Sequence, residues 1–115
     1  MLVVEEAFDE WVMGRTSFGL HVTFEQCWEK DLEDMITRDY NHPCIVMWST
    51  GNEVEERDGT ADGFAWAKRL ADKVRSLDAN RPVSATACAL FSEYGNRPAG
   101  GTTGNQALNM LRHLA

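Results

Sequence analysis

Cys44-Ile45-Val46-Met47 runs directly into Trp48-Ser49-Thr50-Gly51-Asn52-Glu53-Val54, and the rest of the chain is read outward from this stretch. A short apolar run of this kind predicts a fully buried strand. Gly51 turns its C-terminal end and presents an amide, Asn52, beside a carboxylate, Glu53. In α/β proteins the chemistry sits where parallel strands end. Asn52 and Glu53 are therefore the first residues to test for a site.

Upstream, Leu2 to Glu5 predicts a short strand, and Phe24 to Arg38 predicts a helix with Phe24, Cys27, Trp28, Leu32, Met35 and Ile36 on one face. Thr23 is placed to cap that helix, with Gln26 three residues on as its capping-box partner. Asn41-His42-Pro43 ends it, because a proline disfavours helical geometry in the residue before it. Downstream, a polar loop from Val54 to Thr60 leads to a second predicted helix, Ala61 to Leu77, with Phe64, Ala67, Leu70, Ala71, Val74 and Leu77 inward. Asp78-Ala79-Asn80-Arg81-Pro82 breaks it; a third strand, Val83 to Cys88, follows, then a Gly-rich loop from Ser92 to Gly104 and a short helix from Gln106.

The order is β-α-β-α-β-α, which means parallel strands joined by right-handed crossovers. The strands near 2–5, 44–48 and 83–88 would make residues 1–115 one unit of α/β class, about three of the eight units of a (β/α)8 TIM barrel. The alternative is a small open three-layer α/β sheet with helices on both faces. Periodicity alone does not choose. The chain opens inside an apolar strand with no preceding cap or turn, so a piece of a longer protein is expected.

Eighteen acidic against eleven basic residues give a net charge of −7, and the basic residues do not cluster, so nucleic acid is not an expected partner. The three cysteines, Cys27, Cys44 and Cys88, are widely spaced and beside apolar stretches, which predicts reduced core thiols in a cytoplasmic protein. No apolar stretch approaches the ~18 residues that span a bilayer, and no signal peptide or membrane partner is expected. His21, His42 and His113 stand without ligand spacing, so no metal site is expected. The Gly-rich loop lacks the Gly-Lys-Ser/Thr ending of a phosphate cradle, and the acidic run Glu53 to Asp58 reads as a solvated rim. Trp11 and Trp48 could stack on a sugar ring, but core positions are the expectation for tryptophans at strand ends.

Three segments in order, Val4-Glu5-Glu6-Ala7-Phe8-Asp9-Glu10-Trp11, Arg38-Asp39-Tyr40-Asn41-His42-Pro43 and Trp48-Ser49-Thr50-Gly51-Asn52-Glu53, resemble consecutive signatures of glycoside hydrolase family 2. Arg81-Pro82-Val83 at the next strand is similar too, so the resemblance covers residues 1 to about 90. It implies a fragment of a catalytic TIM barrel around its third to fifth strands, from an enzyme that hydrolyses terminal β-glycosides with retention, β-galactosides first, with a carbohydrate as its partner. It implies that Glu53 is the general acid/base and that Asn52 bonds the sugar's 2-hydroxyl. Glu10 falls roughly where some β-galactosidases of the family place a carboxylate near the acid, and is assigned with Asn52 to substrate binding. In those enzymes that carboxylate helps hold magnesium; here Val12 stands where the accompanying histidine belongs, so no cofactor is carried over and magnesium is in doubt.

Chemistry supports the role of Glu53 independently of the resemblance: cleaving a glycosidic bond needs a proton for the departing oxygen, and a carboxylic acid at a barrel mouth can supply it. The nucleophile that the family takes from its seventh strand is not matched; Glu93 lies in a loop without a corresponding motif. The isolated chain is therefore expected to be inactive, and to associate with further copies through its unpaired sheet edges, since three strands cannot close a barrel. A stable monomer with a cooperative melt would contradict the association. Two rivals remain: another retaining glycosidase, such as a β-glucuronidase, β-mannosidase or cellulase, and a non-catalytic α/β carbohydrate-binding or assembly fragment in which Glu53 is inert.

Overall fold

The structure, a computed structural model, describes residues 1–14, 16–52, 54 and 61–84, apart from the side chain at 61. Glu53, the loop at 55–60, the predicted strand beyond Ser84, Cys88, Glu93, the Gly-rich loop, the last helix and His113 lie outside the described residues.

Three strands, β1 (Val3–Glu6), β2 (Ile45–Ser49) and β3 (Val83–Ser84), alternate with two helices, α1 (His21–Asp39) and α2 (Ala61–Leu77). The sheet is parallel in the order β1-β2-β3. β1 pairs with β2 through Val3 to Ile45, then Val4 to Met47, Glu5 to Trp48 and Glu6 to Ser49. The register shift between Val3 and Val4 leaves Val46 as an extra residue near the start of β2, a local irregularity in the pairing.

Two right-handed crossovers running the same way across a sheet place both helices on one face. The packing agrees. Phe24 and Trp28 of α1 meet Trp66 of α2 edge-on, with ring centroids 5.1 and 5.8 Å apart, and Lys73 on α2 reaches Glu33 on α1 at 3.2 Å. The one-sided arrangement is the one that an arc of a barrel requires. The core lies between helices and sheet and is built from Phe24, Leu32 and Ile36 of α1, Leu70, Ala71 and Val74 of α2, and Ile45 and Trp48 of β2. Each large side chain there contributes roughly 1.5–3 kcal/mol by leaving water. The opposite face of the sheet carries exposed Val4 and Val46, at 54% and 38% exposure, and in a closed barrel this face lines the lumen.

Glu5 and Glu6 divide between the faces, as alternation along a strand requires. Glu5 meets Arg38 of α1 at 3.4 Å, while Glu6 accepts a hydrogen bond of 2.8 Å from the Ser49 hydroxyl. Arg38 also bonds Asp39, and this guanidinium holds the Asp39 carboxyl below the usual carboxylate range, against the opposing effect of burial.

Two expectations change. Helix α1 begins at His21 rather than Phe24, and Thr23 is not its cap. The Val22 and Thr23 amides donate to Gly19 and Leu20 carbonyls, so turn-type bonds start the helix one residue triplet early, and the Thr23 hydroxyl turns back to the Leu20 carbonyl at 3.5 Å. The cysteines also differ. Cys27 is half-buried and Cys44 exposed, because β2 starts at Ile45 and leaves Cys44 in the preceding turn, where its carbonyl accepts from the Val3 amide.

Candidate functional site

The segments leaving the C-terminal ends of β1 and β2 are laced together. The Ala7 amide donates to the Ser49 carbonyl at 3.1 Å, the Asn52 amide to the Phe8 carbonyl at 2.8 Å, and the Trp11 indole to the Thr50 carbonyl at 2.8 Å. β3 secures the other side, since the Thr50 amide donates to the Ser84 carbonyl at 2.9 Å. Residues 49–52 are thus held from both neighbouring strands by backbone groups that cannot rotate away, which suits a site that must keep its geometry.

Asn52 is exposed at the rim, and its side-chain nitrogen donates to the Asp9 carboxylate at 3.3 Å. That contact orients the amide. Glu53 follows it directly in the chain and lies outside the described residues. Trp11 and Trp48 are both fully buried, so neither face is open to a sugar ring and both are core. They differ in attachment: Trp11 bonds the loop at Thr50, whereas Trp48 bonds Asp78 on the helix side at 2.9 Å.

Gly51 is required by close approach. A Cβ there would lie 2.9 Å from both the Trp11 Nε1 and a Val54 methyl. Gly51→Ala is expected to cost about 1–3 kcal/mol through forced displacement of a packed indole, read as a fall in the denaturant midpoint. An unchanged midpoint would show that the loop gives way freely.

Glu10 is 5% exposed, and its carboxylate meets the His21 Nδ1 at 3.1 Å. Periodicity does not predict this pair, because residues eleven apart on a loop and a helix share no spacing rule. The signal was in the glycines. A Cβ at Gly14 would overlap the His21 ring, and one at Gly19 would overlap the Glu10 carboxylate. Among the described residues no three His, Cys, Asp or Glu side chains converge on a common point. Nor, among the described residues, is any helix long and apolar enough to cross a membrane.

A parallel arc with both helices outside and its strand-end loops locked together defines the class: a part of a (β/α)8 barrel carrying its site at the strands' C-terminal ends. Residues 15–96 match the family model described as glycosyl hydrolases family 2, TIM barrel domain, and the chain belongs to that family. It is 39% identical over 79 residues to the β-galactosidase BoGH2A of Bacteroides ovatus, covering 69% of this chain and 8% of that protein. It is 40% identical over 53 residues to human β-glucuronidase, covering 46% of this chain and 8% of the other. A crystal structure of a family 2 glycosyl hydrolase from Bacteroides cellulosilyticus superposes with a TM-score of 0.76 at 34% identity, over 96% of this chain and 13% of that one. The chain thus spans a small part of the length of these relatives.

Proposed function

We propose that this chain supplies the acid/base segment of a retaining β-glycosidase, with Glu53 as general acid/base and Asn52 holding the sugar's 2-hydroxyl. The observation that carries the reading is the placement of Asn52. Its backbone is tied to Phe8, its side chain to Asp9, and it stands at the mouth of the arc immediately before Glu53. An amide suits a hydroxyl partner because it both donates and accepts while adding no charge beside the acid. In the complete barrel the second carboxylate comes from a strand beyond this segment, so the reaction belongs to the whole enzyme.

We assign terminal β-galactosides as the substrate class ahead of β-glucuronides. The rim residue Asp9 touches Asn52, and Glu6 faces the same side of the sheet. Negative charge there disfavours a sugar that itself carries a carboxylate. The test is exchange of residues 1–84 into the matching segments of the Bacteroides ovatus β-galactosidase and of human β-glucuronidase. Hydrolysis of an aryl β-galactoside should survive in the first host, and that of an aryl β-glucuronide should fall in the second. The opposite pattern would reverse the substrate assignment, and loss of turnover in both correctly folded hosts would remove the acid/base reading.

A further inference from the structure

We infer that His21 is a positioning residue: through Glu10 it pins the loop after β1 to the first turn of α1, and that loop in turn fixes Asn52 at the site. The inference rests on the proposed role of Asn52 and adds to it a residue that contacts no substrate.

His21 is the first residue of α1, with its side chain 23% exposed, and its Nδ1 lies 3.1 Å from the Glu10 carboxylate, which is 6% exposed. A nearly buried carboxylate needs partners that satisfy it, since an unsatisfied charge in that position costs several kcal/mol. An ionised Glu10 only accepts, so this contact is a hydrogen bond when the imidazole carries a proton on Nδ1. Glu10 is flanked by Asp9 and Trp11, and each of these side chains reaches the exit of β2. Asp9 accepts from the Asn52 side chain, and the Trp11 indole donates to the Thr50 carbonyl. Two residues earlier, Phe8 packs edge-on against Phe24 of α1 with centroids 5.0 Å apart, and its carbonyl receives the Asn52 amide. The loop is therefore anchored to α1 at Phe8 and Glu10, and it grips β2's exit from Phe8, Asp9 and Trp11.

The glycines give independent support. Gly14 and Gly19 both approach the pair so closely that any side chain would collide with it, one on the His21 ring and the other on the Glu10 carboxylate. Two glycines cleared for one Glu–His contact mark it as built into the backbone path. An incidental surface meeting would not need both.

The experiment uses the full chain labelled with 5-fluorotryptophan, its four indole lines assigned by single Trp→Phe substitutions. Trp11 reports on the gripped loop. Trp48, bonded to Asp78 on the helix side, reports on the rest of the fold. In His21→Ala the Trp11 line should shift and broaden while the Trp48 line stays in place, and His21→Gln, which keeps a donor, should move Trp11 back toward its original position. Gly19→Ala should reproduce the Trp11 shift by displacing the carboxylate with His21 intact. A Trp11 line unmoved by His21→Ala or by Gly19→Ala overturns the inference. So does loss of the Trp48 line alongside it, which would make His21 a determinant of the whole fold. The readout needs no turnover, so it stands or falls separately from the segment exchange that tests the glycosidase reading.

Discussion

Arg81→Ala is expected to destabilise the chain by about 3–5 kcal/mol, the cost of leaving a buried carboxylate without its partner. Asp78 is 1% exposed at the end of α2. One of its oxygens takes the Arg81 guanidinium at 2.6 Å and the Trp48 indole at 2.9 Å, while the other takes the Asn80 amide at 2.9 Å. Arg81 extends the network by donating to the Ile45 and Tyr40 carbonyls, each at 2.8 Å, and thereby ties the turn before β3 to the start of β2. A loss of that size is comparable to the whole stability of a small domain. Far-UV circular dichroism of Arg81→Ala at 25 °C should show most of the helix signal gone. Arg81→Lys should recover only part, because an ammonium cannot reproduce the planar fork. A near-native spectrum for Arg81→Ala would show that the pair is dispensable.

The same carboxylate sets an acid limit. Burial pushes the Asp78 pKa upward, but the hydrogen bonds from Trp48, Arg81 and the two backbone amides outweigh it and hold the group at about 2, below the usual carboxylate range. A depressed folded-state pKa contributes stability that is fully present above the unfolded value and disappears as pH falls through the folded one. The contribution is about 2 kcal/mol at neutral pH, so the denaturant midpoint should decline between pH 4 and pH 2. Asp78→Asn should flatten that decline.

The Asp78 network also shows where the sequence is silent. Asp78-Ala79-Asn80-Arg81-Pro82 is legible as a helix breaker, because proline and the Asx turn are local signals. The bond from Asp78 to Trp48 crosses thirty residues, and no period along the chain encodes it. The strands and helices were readable for the opposite reason. The burial of Phe24, Trp28, Leu32, Met35 and Ile36 follows the 3.6-residue repeat, and that of Ala67, Leu70, Ala71 and Val74 does so again. Helix faces are written in spacing, so α1 and α2 are legible, and the parallel order follows from their alternation with strands.

The helix start was less legible. Thr23 with Gln26 looks like a capping pair, yet the true boundary residue is Leu20, in helical geometry and without a side-chain cap. Tertiary contacts replace the cap there: His21 joins Glu10, and Phe24 joins Phe8. The site shows the same division. Gly51-Asn52-Glu53 was readable as a turn carrying polar groups, whereas the grip of Phe8, Asp9 and Trp11 on that turn comes from the pairing of β1 with β2. One sequence signal for this closeness exists: Gly51 is small because an indole lies against it.

Glu53→Ala, placed in the segment-exchanged β-galactosidase, should lower kcat/KM by about 10²- to 10⁴-fold on galactosides with poor leaving groups, the usual span for a general acid. At 1.36 kcal/mol per decade this is roughly 3–5 kcal/mol of transition-state stabilisation. The loss should shrink sharply on aryl galactosides with acidic phenols, because a phenolate that leaves as a stable anion needs no proton. The second half of a retaining reaction gives an independent sign. The same residue must then act as base on the water that releases the sugar, so on activated substrates the variant should stall as glycosyl-enzyme. Azide, a nucleophile that needs no base, should restore turnover and yield the β-glycosyl azide. An equal loss across all leaving groups, with no azide effect, would take Glu53 out of proton transfer. The unexchanged chain should show no turnover with or without the substitution. A retaining site needs a second carboxylate about 5–5.5 Å from the first, and a site without one loses about 4–6 kcal/mol if the nucleophile is worth ~10³- to 10⁴-fold. Measurable hydrolysis by that chain, abolished in Glu53→Ala, would mean that a nucleophile is supplied from within these 115 residues or from a second copy.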